Sequence, residues 1–208
     1  MKQAAVGFRV HSGWAAVVVV WLEKGAPVVL ERKRGHLVKT FSYTFRQPYH
    51  TAEKMPLAKA REFVAQVQTE ARQLAYGLIH GMQSDLEDLK IKLTRGSLLL
   101  ASGRPLPDLE KILASHALIH TADGELFREA IVHGCTRCGL KTERIKEREL
   151  LESAERAIRV KPTELMRRVA ELGKPLGSPW SQDEKFAALA AWLALRSRNH
   201  DGKANRGK

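Results

Sequence analysis

Apolar runs separated by short polar turns dominate the first 45 residues and predict three antiparallel strands. Residues 4–22 form an apolar run interrupted around Gly13, and the four consecutive valines in its second half favour a strand over a helix. After a turn at residues 25–27, a further strand is predicted at 28–32 and another at 37–45. For Gly13 we expect a tight hairpin or a bulge.

Helical spacing begins after residue 50. Apolar residues recur at intervals of three and four from Ala60 to Leu78, which predicts a long amphipathic helix that starts near Pro56 and is broken at Gly77 and Gly81.

The second half of the chain alternates between strand and helix patterns. The predicted elements are a fourth strand at 91–101, a central helix at 109–138, an exposed edge strand at 140–147, and helices at 148–159, 163–172 and 182–195, the last one capped by Ser181. The expected fold class is therefore α/β, with a mixed sheet and additional C-terminal helices. We expect one domain over residues 1–195 and a basic disordered tail over residues 196–208.

Charge is the strongest compositional signal. The formal net charge of +12 over 208 residues favours a polyanionic partner, namely nucleic acid or a ribonucleoprotein, because Lys and Arg attract phosphate over long range. The alternative is that basic groups only keep the surface solvated. No apolar run approaches the length of a membrane span, and the two cysteines form no secreted disulfide framework, so we expect no membrane partner and a cytoplasmic location.

Candidate chemistry concentrates in the central helix. His116 and His120 are four residues apart, which places two imidazoles on one helix face, and Asp123 follows about one turn later. We consider three uses of this set: one divalent metal bound by His116, His120 and Asp123; acid–base catalysis by a histidine paired with Asp123 or Glu125; or hydrogen-bonded histidines on the buried apolar stripe without a cofactor.

Two smaller signals accompany the histidines. Cys135 and Cys138 form a single C-x-x-C, which indicates either a structural zinc site or packed thiols. Basic residues with interleaved aromatics after the second strand indicate a phosphate- and base-binding surface or a solvated turn; the candidates are Arg32, Lys33 and Arg34, together with Arg104 in the loop after the fourth strand.

The order of predicted elements resembles the ribonuclease H-like superfold. Residues 6–17, VGFRVHSGWAAV, resemble the first strand and turn of RuvC-type resolvases and related predicted nucleases, and residues 182–195 resemble their final helix, which carries one or two Asp before an Ala-rich run. Where the resemblance places the first metal-binding Asp, this chain has Arg9, and its fourth strand ends without a carboxylate. Only Asp183, beside Glu184, matches an acidic position of the family.

The resemblance implies a nucleic-acid or ribonucleoprotein-binding protein on a scaffold that has lost its usual metal site. Arg9 joins the candidate phosphate-binding residues, and Asp183 joins the candidate catalytic residues. One carboxylate is too few for two Mg²⁺ ions. The alternatives are a metal-dependent nuclease or other hydrolase that uses the central helix, and a homodimer that forms through Trp192 on the last helix.

Overall fold

A mixed five-stranded sheet organises the chain, whose computed structural model describes residues 2–101 and 105–196. The strands are β1 (Lys2–His11), β2 (Trp14–Glu23), β3 (Ala26–His36), β4 (Ile91–Leu100) and β5 (Lys141–Lys146). Their order across the sheet is β3-β2-β1-β4-β5. The first three strands are antiparallel, whereas β4 runs parallel to β1 and β5 runs parallel to β4. The predicted α/β class and mixed sheet are confirmed.

The β1–β2 connection is a two-residue hairpin. His11 pairs with Trp14 across Ser12 and Gly13, and Gly13 has a φ of +84°, a conformation that glycine adopts without steric cost. The tight hairpin expected at Gly13 is therefore present. The backbone N–H of Leu37 donates to the carbonyl of Gly13 at 2.9 Å.

The strand predicted at residues 37–45 is wrong. β3 extends the strand predicted at 28–32 in both directions, from Ala26 to His36. After His36 the chain leaves the sheet because Leu37 and Val38 bury their side chains in the core. The short helices α1 (Tyr43–Arg46) and α2 (Pro48–Ala52) follow.

The helices after α2 are α3 (Leu57–Asp88), α4 (Leu109–Leu113), α5 (His116–Arg137), α6 (Leu150–Ile158), α7 (Pro162–Leu172) and α8 (Gln182–Arg196). The two longest, α3 and α5, cover one face of the sheet. α3 runs without a break through Gly77 and Gly81, contrary to our prediction, because its buried stripe continues on both sides of these glycines. Among the described residues, no helix has the length and apolar character that a membrane crossing requires.

Helix α8 covers the other face. Ser181 and Glu184 form a reciprocal cap: the Ser181 hydroxyl accepts from the Asp183 N–H at 3.1 Å, and Glu184 accepts from the Ser181 N–H at 2.8 Å. The predicted Ser181 cap is thus present. Trp192 is 1 % exposed and packs among the side chains of this second core. A homodimer through the last helix stays a prediction, and its contacts would involve residues other than Trp192.

The predicted central helix is two helices. The chain breaks at Ala114 and Ser115, between α4 and α5. α5 buries Ile119, Asp123 and Phe127, whereas His116 and His120 are exposed. The histidines lie in the first turns of α5, which pack only in a small cluster around Ile119, and the helix joins the main core from Leu126 onward. The expectation that both histidines lie on the buried stripe is wrong. α5 is continuous through Gly124.

Candidate functional site

The carboxyl ends of β1, β4 and β5 meet at one edge of the sheet because these strands are parallel. We call this region, together with the adjoining Ser12–Gly13 hairpin, the carboxyl edge. In open α/β sheets, ligands bind outside such strand ends. Arg9 and His11 reach this edge on β1, Glu147 follows β5, and Asp183 lies in the first turn of α8.

Arg9 occupies the centre of the edge as part of an ion-pair network. Its Nε and Nη2 donate to the two carboxylate oxygens of Glu147 at 2.9 and 2.7 Å, and its Nη1 donates to Asp183. Nε2 of His11 lies 3.0 Å from the same Asp183 oxygen. The hydrogen bonds with Glu147, and then those with Asp183, raise the pKa of Arg9 against the opposing effect of burial.

This network changes the interpretation of two predicted site residues. A guanidinium holds the carboxylates of both Glu147 and Asp183, so Asp183 is the partner of a fixed cation. Arg9 was predicted to bind phosphate, but its donors are directed at Glu147 and Asp183. Arg9 thus forms a bidentate ion pair with Glu147 and a single hydrogen bond with Asp183.

The predicted basic run on β3 divides into engaged and available groups. Arg32 donates to the carbonyls of Leu176, Gly177 and Pro179. Lys33 pairs with Glu31 at 2.5 Å. Arg34 is exposed, and in the described part of the chain no ion pair engages it. Of the predicted phosphate-binding residues that the structure describes, Arg34 alone is exposed and has a side chain that forms no hydrogen bond or ion pair with another described residue; Arg104 and the basic tail after residue 196 lie outside the described residues.

Arg34 belongs to a row of stacked side chains beside the hairpin. Its guanidinium lies 3.8 Å from the Trp14 ring centroid and 5.3 Å from that of Phe41, and the guanidinium of Arg46 lies 4.6 Å from the Phe41 ring. We call Trp14, Arg34, Phe41 and Arg46 the arginine–aromatic row. His11 stacks on Trp14 at 4.4 Å and so connects the row to the ion-pair network.

Three histidines converge near α1. Nε2 of His116 and Nε2 of His120 are 3.0 Å apart. His50 on α2 completes the group, in which one ring nitrogen of each histidine lies within 4.8 Å of the others. We call His50, His116 and His120 the histidine cluster. The spacing within α5 correctly predicted that two imidazoles meet.

Asp123 supports this cluster through His50. Its Oδ2 lies 2.5 Å from Nδ1 of His50, and its Oδ1 accepts from the Tyr49 backbone N–H at 2.7 Å. Asp123 is 2 % exposed, and burial raises its pKa while the bonds from His50 and Tyr49 act in the opposite direction. Burial also raises the pKa of Tyr49, and the neighbouring Asp123 charge adds to this shift.

The pairing differs from the acid–base pairs predicted from sequence. Asp123 bonds to His50 rather than to His116 or His120, and Glu125 forms an ion pair with Arg128 at 2.8 Å. Sequence reasoning missed His50 and Glu147 as site residues. His50 lies 66 residues before His116, on a helix of five residues, so no local spacing connects the two.

The two cysteines lie apart from these groups. Cys135 is fully buried beneath β4, and burial raises the pKa of its thiol to about 12; Cys138 is half-buried, and burial also raises its pKa. Among the described residues, the groups of three or more metal-ligating side chains do not include either cysteine. This arrangement favours packed thiols over a zinc site.

We predict unequal reactivity for these thiols. Iodoacetamide at pH 8 should label Cys138 in the folded protein, whereas Cys135 should react only after unfolding, because access and thiolate formation are both suppressed there. Peptide mass spectrometry of native and denatured samples measures the difference. Equal labelling of both thiols in the folded state would contradict the burial of Cys135.

Comparison with known proteins addresses the fold. The sequence matches no protein-family model and no curated protein. The structure is similar to RuvC of Thermus thermophilus, with a TM-score of 0.53 and 12% identity over 95% of this chain and 96% of that one. It is also similar to T. thermophilus RuvC in complex with a Holliday junction substrate, with a TM-score of 0.55 and 12% identity over 96% of both chains. The chain therefore has a ribonuclease H-like fold of the RuvC type.

Proposed function

We propose that this protein binds nucleic acid, free or within a ribonucleoprotein, at the carboxyl edge. The observation that carries the proposal is the arginine–aromatic row. A guanidinium stacked on an aromatic ring is held in place, yet the edge that bears its N–H donors remains available for a phosphate oxygen. The row therefore offers the exposed Arg34 as a prearranged phosphate donor.

Exposed rings within the row and next to it supply a second type of contact. Phe41 is 43% exposed and Tyr43, on the same short helix as Arg46, is 56% exposed. Unpaired bases stack on exposed aromatic faces, and each such contact contributes about 1–3 kcal/mol. A cationic row beside open rings suits a strand with accessible bases.

The rest of the molecule agrees with this proposal. The net charge of +12 attracts phosphates over long range. The structure of T. thermophilus RuvC bound to a Holliday junction supplies a nucleic-acid ligand for a chain of the same fold. With Arg9 between Glu147 and Asp183, we expect this position to bind no divalent metal and to perform no two-metal hydrolysis.

The test is oligonucleotide binding as a function of salt. We expect fluorescence anisotropy to detect binding of single-stranded DNA or RNA at 50 mM salt, with affinity falling steeply by 200 mM. Arg34→Ala should weaken binding and reduce the slope of log K against log salt by about 1, because one phosphate contact is lost. A duplex and a four-way junction serve as alternative probes.

Arg167→Ala provides a matched control for charge. It also removes one positive charge, but Arg167 pairs with Glu164 on α7, away from the row. Its salt slope should equal that of the unmodified protein. The proposal fails if no probe binds at low salt, or if Arg34→Ala and Arg167→Ala have the same effect.

A further inference from the structure

We propose that the histidine cluster is a zinc site in which His50, His116 and His120 bind the metal and Asp123 positions His50. The inference does not depend on nucleic-acid binding, since it rests on residues outside the arginine–aromatic row. Three neutral imidazoles are a ligand set that suits Zn²⁺ and leaves the fourth tetrahedral position for water.

Distances within the cluster fit this assignment. With Zn–N bonds of 2.0–2.1 Å, tetrahedral geometry places ligand nitrogens about 3.3 Å apart. Nε2 of His116 and Nε2 of His120 are already 3.0 Å apart, and all three ligand atoms lie within 4.8 Å of one another. Small side-chain rotations about an ion would therefore complete the geometry.

The three imidazole rings also lie close to one another. The centroid of His50 lies 4.4 Å from that of His120 and 5.4 Å from that of His116. His116 and His120 are exposed, whereas His50 is largely buried. A metal would consequently be anchored to the protein on the His50 side and reach solvent on the α5 side.

The Asp123–His50 bond is the second, independent observation. Histidines that bind metals commonly donate their other ring N–H to a carboxylate, which fixes the tautomer and ring orientation. Asp123 engages Nδ1 of His50 at 2.5 Å and is itself held by the Tyr49 N–H, so Nε2 of His50 is the nitrogen left for the metal. The buried carboxylate of Asp123 thus holds the His50 ring in the orientation that metal binding requires.

The experiment measures zinc affinity of the full, untagged chain. Protein treated with a chelator is titrated with Zn²⁺ against a chromophoric competitor, and with Co²⁺, whose visible absorption reports a four-coordinate site. We expect one equivalent of Zn²⁺ to bind and to raise Tm. Mg²⁺ should neither bind nor compete, because hard cations prefer oxygen ligands.

Variants separate ligands from bystanders. His116→Ala and His120→Ala should each lower zinc affinity by at least about 100-fold and remove the Co²⁺ spectrum, while Asp123→Asn should lower affinity by about 10–100-fold. His133→Ala, on the same helix outside the cluster, should change nothing. Because His116 and His120 are exposed, their replacement should leave the metal-free fold and its Tm intact, so any loss of zinc binding reports the site itself.

Three results would overturn the proposal. The first is the absence of a zinc equivalent in the unmodified chain, and the second is binding that survives both single alanine variants. The third is an equal loss in His133→Ala. Oligonucleotide affinity is measured separately, so a failure of the zinc proposal can be distinguished from a failure of the nucleic-acid proposal.

Discussion

Gly7→Ala is expected to lower the free energy of unfolding by at least about 3 kcal/mol, because β1 and α8 leave no space for a side chain there. A Cβ on Gly7 would lie 1.9 Å from the carbonyl oxygen of Ala187 and 3.0 Å from the backbone nitrogen of Ala191. Both obstacles are backbone atoms, so no side-chain rotation relieves the clash. Accommodating the methyl group requires α8 to move away from the sheet, which opens the second core.

Gly81→Ala is the matched control for this substitution. Gly81 lies within α3, and no heavy atom lies within 4 Å of the position of its Cβ. Alanine should stabilise the helix by about 0.5–1 kcal/mol relative to glycine. Chemical denaturation should show that the free energy of unfolding falls for Gly7→Ala and rises for Gly81→Ala. A loss of less than 1 kcal/mol for Gly7→Ala would show that α8 adjusts freely.

Trp192→Ala is expected to cost about 3–5 kcal/mol of stability. Trp192 is among the largest fully buried side chains and fills the space between α8 and its neighbours. Because the surrounding backbone relaxes only partly, the removed ring leaves a cavity as well as a loss of apolar burial. Urea unfolding followed by circular dichroism measures the change without relying on the tryptophan signal.

Leu89→Ala controls for the removal of an apolar side chain. Leu89 is 64% exposed, so its replacement should change stability by no more than about 0.5 kcal/mol. Sedimentation of the unmodified chain at several concentrations tests the separate expectation about self-association. A small effect of Trp192→Ala together with a concentration-dependent mass would contradict the burial of Trp192 within its own chain.

Local sequence patterns predicted most of the sheet. They failed where tertiary contacts, rather than local propensity, determine the secondary structure. The valine run of β2 and the apolar β4 are strands on propensity alone. At residues 37–45, partial alternation predicted a strand, but burial of Leu37 and Val38 takes the chain off the sheet. Gly77 and Gly81 predicted a break, yet the packed stripe of α3 outweighs their cost of about 1 kcal/mol each.

The candidate site was predictable only within single elements. Spacing of four residues brought His116 and His120 together, and the resemblance to RuvC-type enzymes marked Arg9 and Asp183 as facing positions. Burial of the histidines was predicted wrongly because the first turns of α5 lie outside the main core, which the helix joins only from Leu126 onward. His50 and Glu147 come from distant parts of the chain, and only the folded topology brings them to their partners.

The position of α8 has a consequence for synthesis. This helix, at residues 182–196, covers the sheet face that includes Ala5, Val18 and Val20 from the first two strands. A ribosome makes those strands first, so their second apolar face stays uncovered until nearly all the described chain has emerged. Nascent chains that stall before residue 182 would present that face to other proteins, and chaperones that bind apolar strands would act on this protein late in translation.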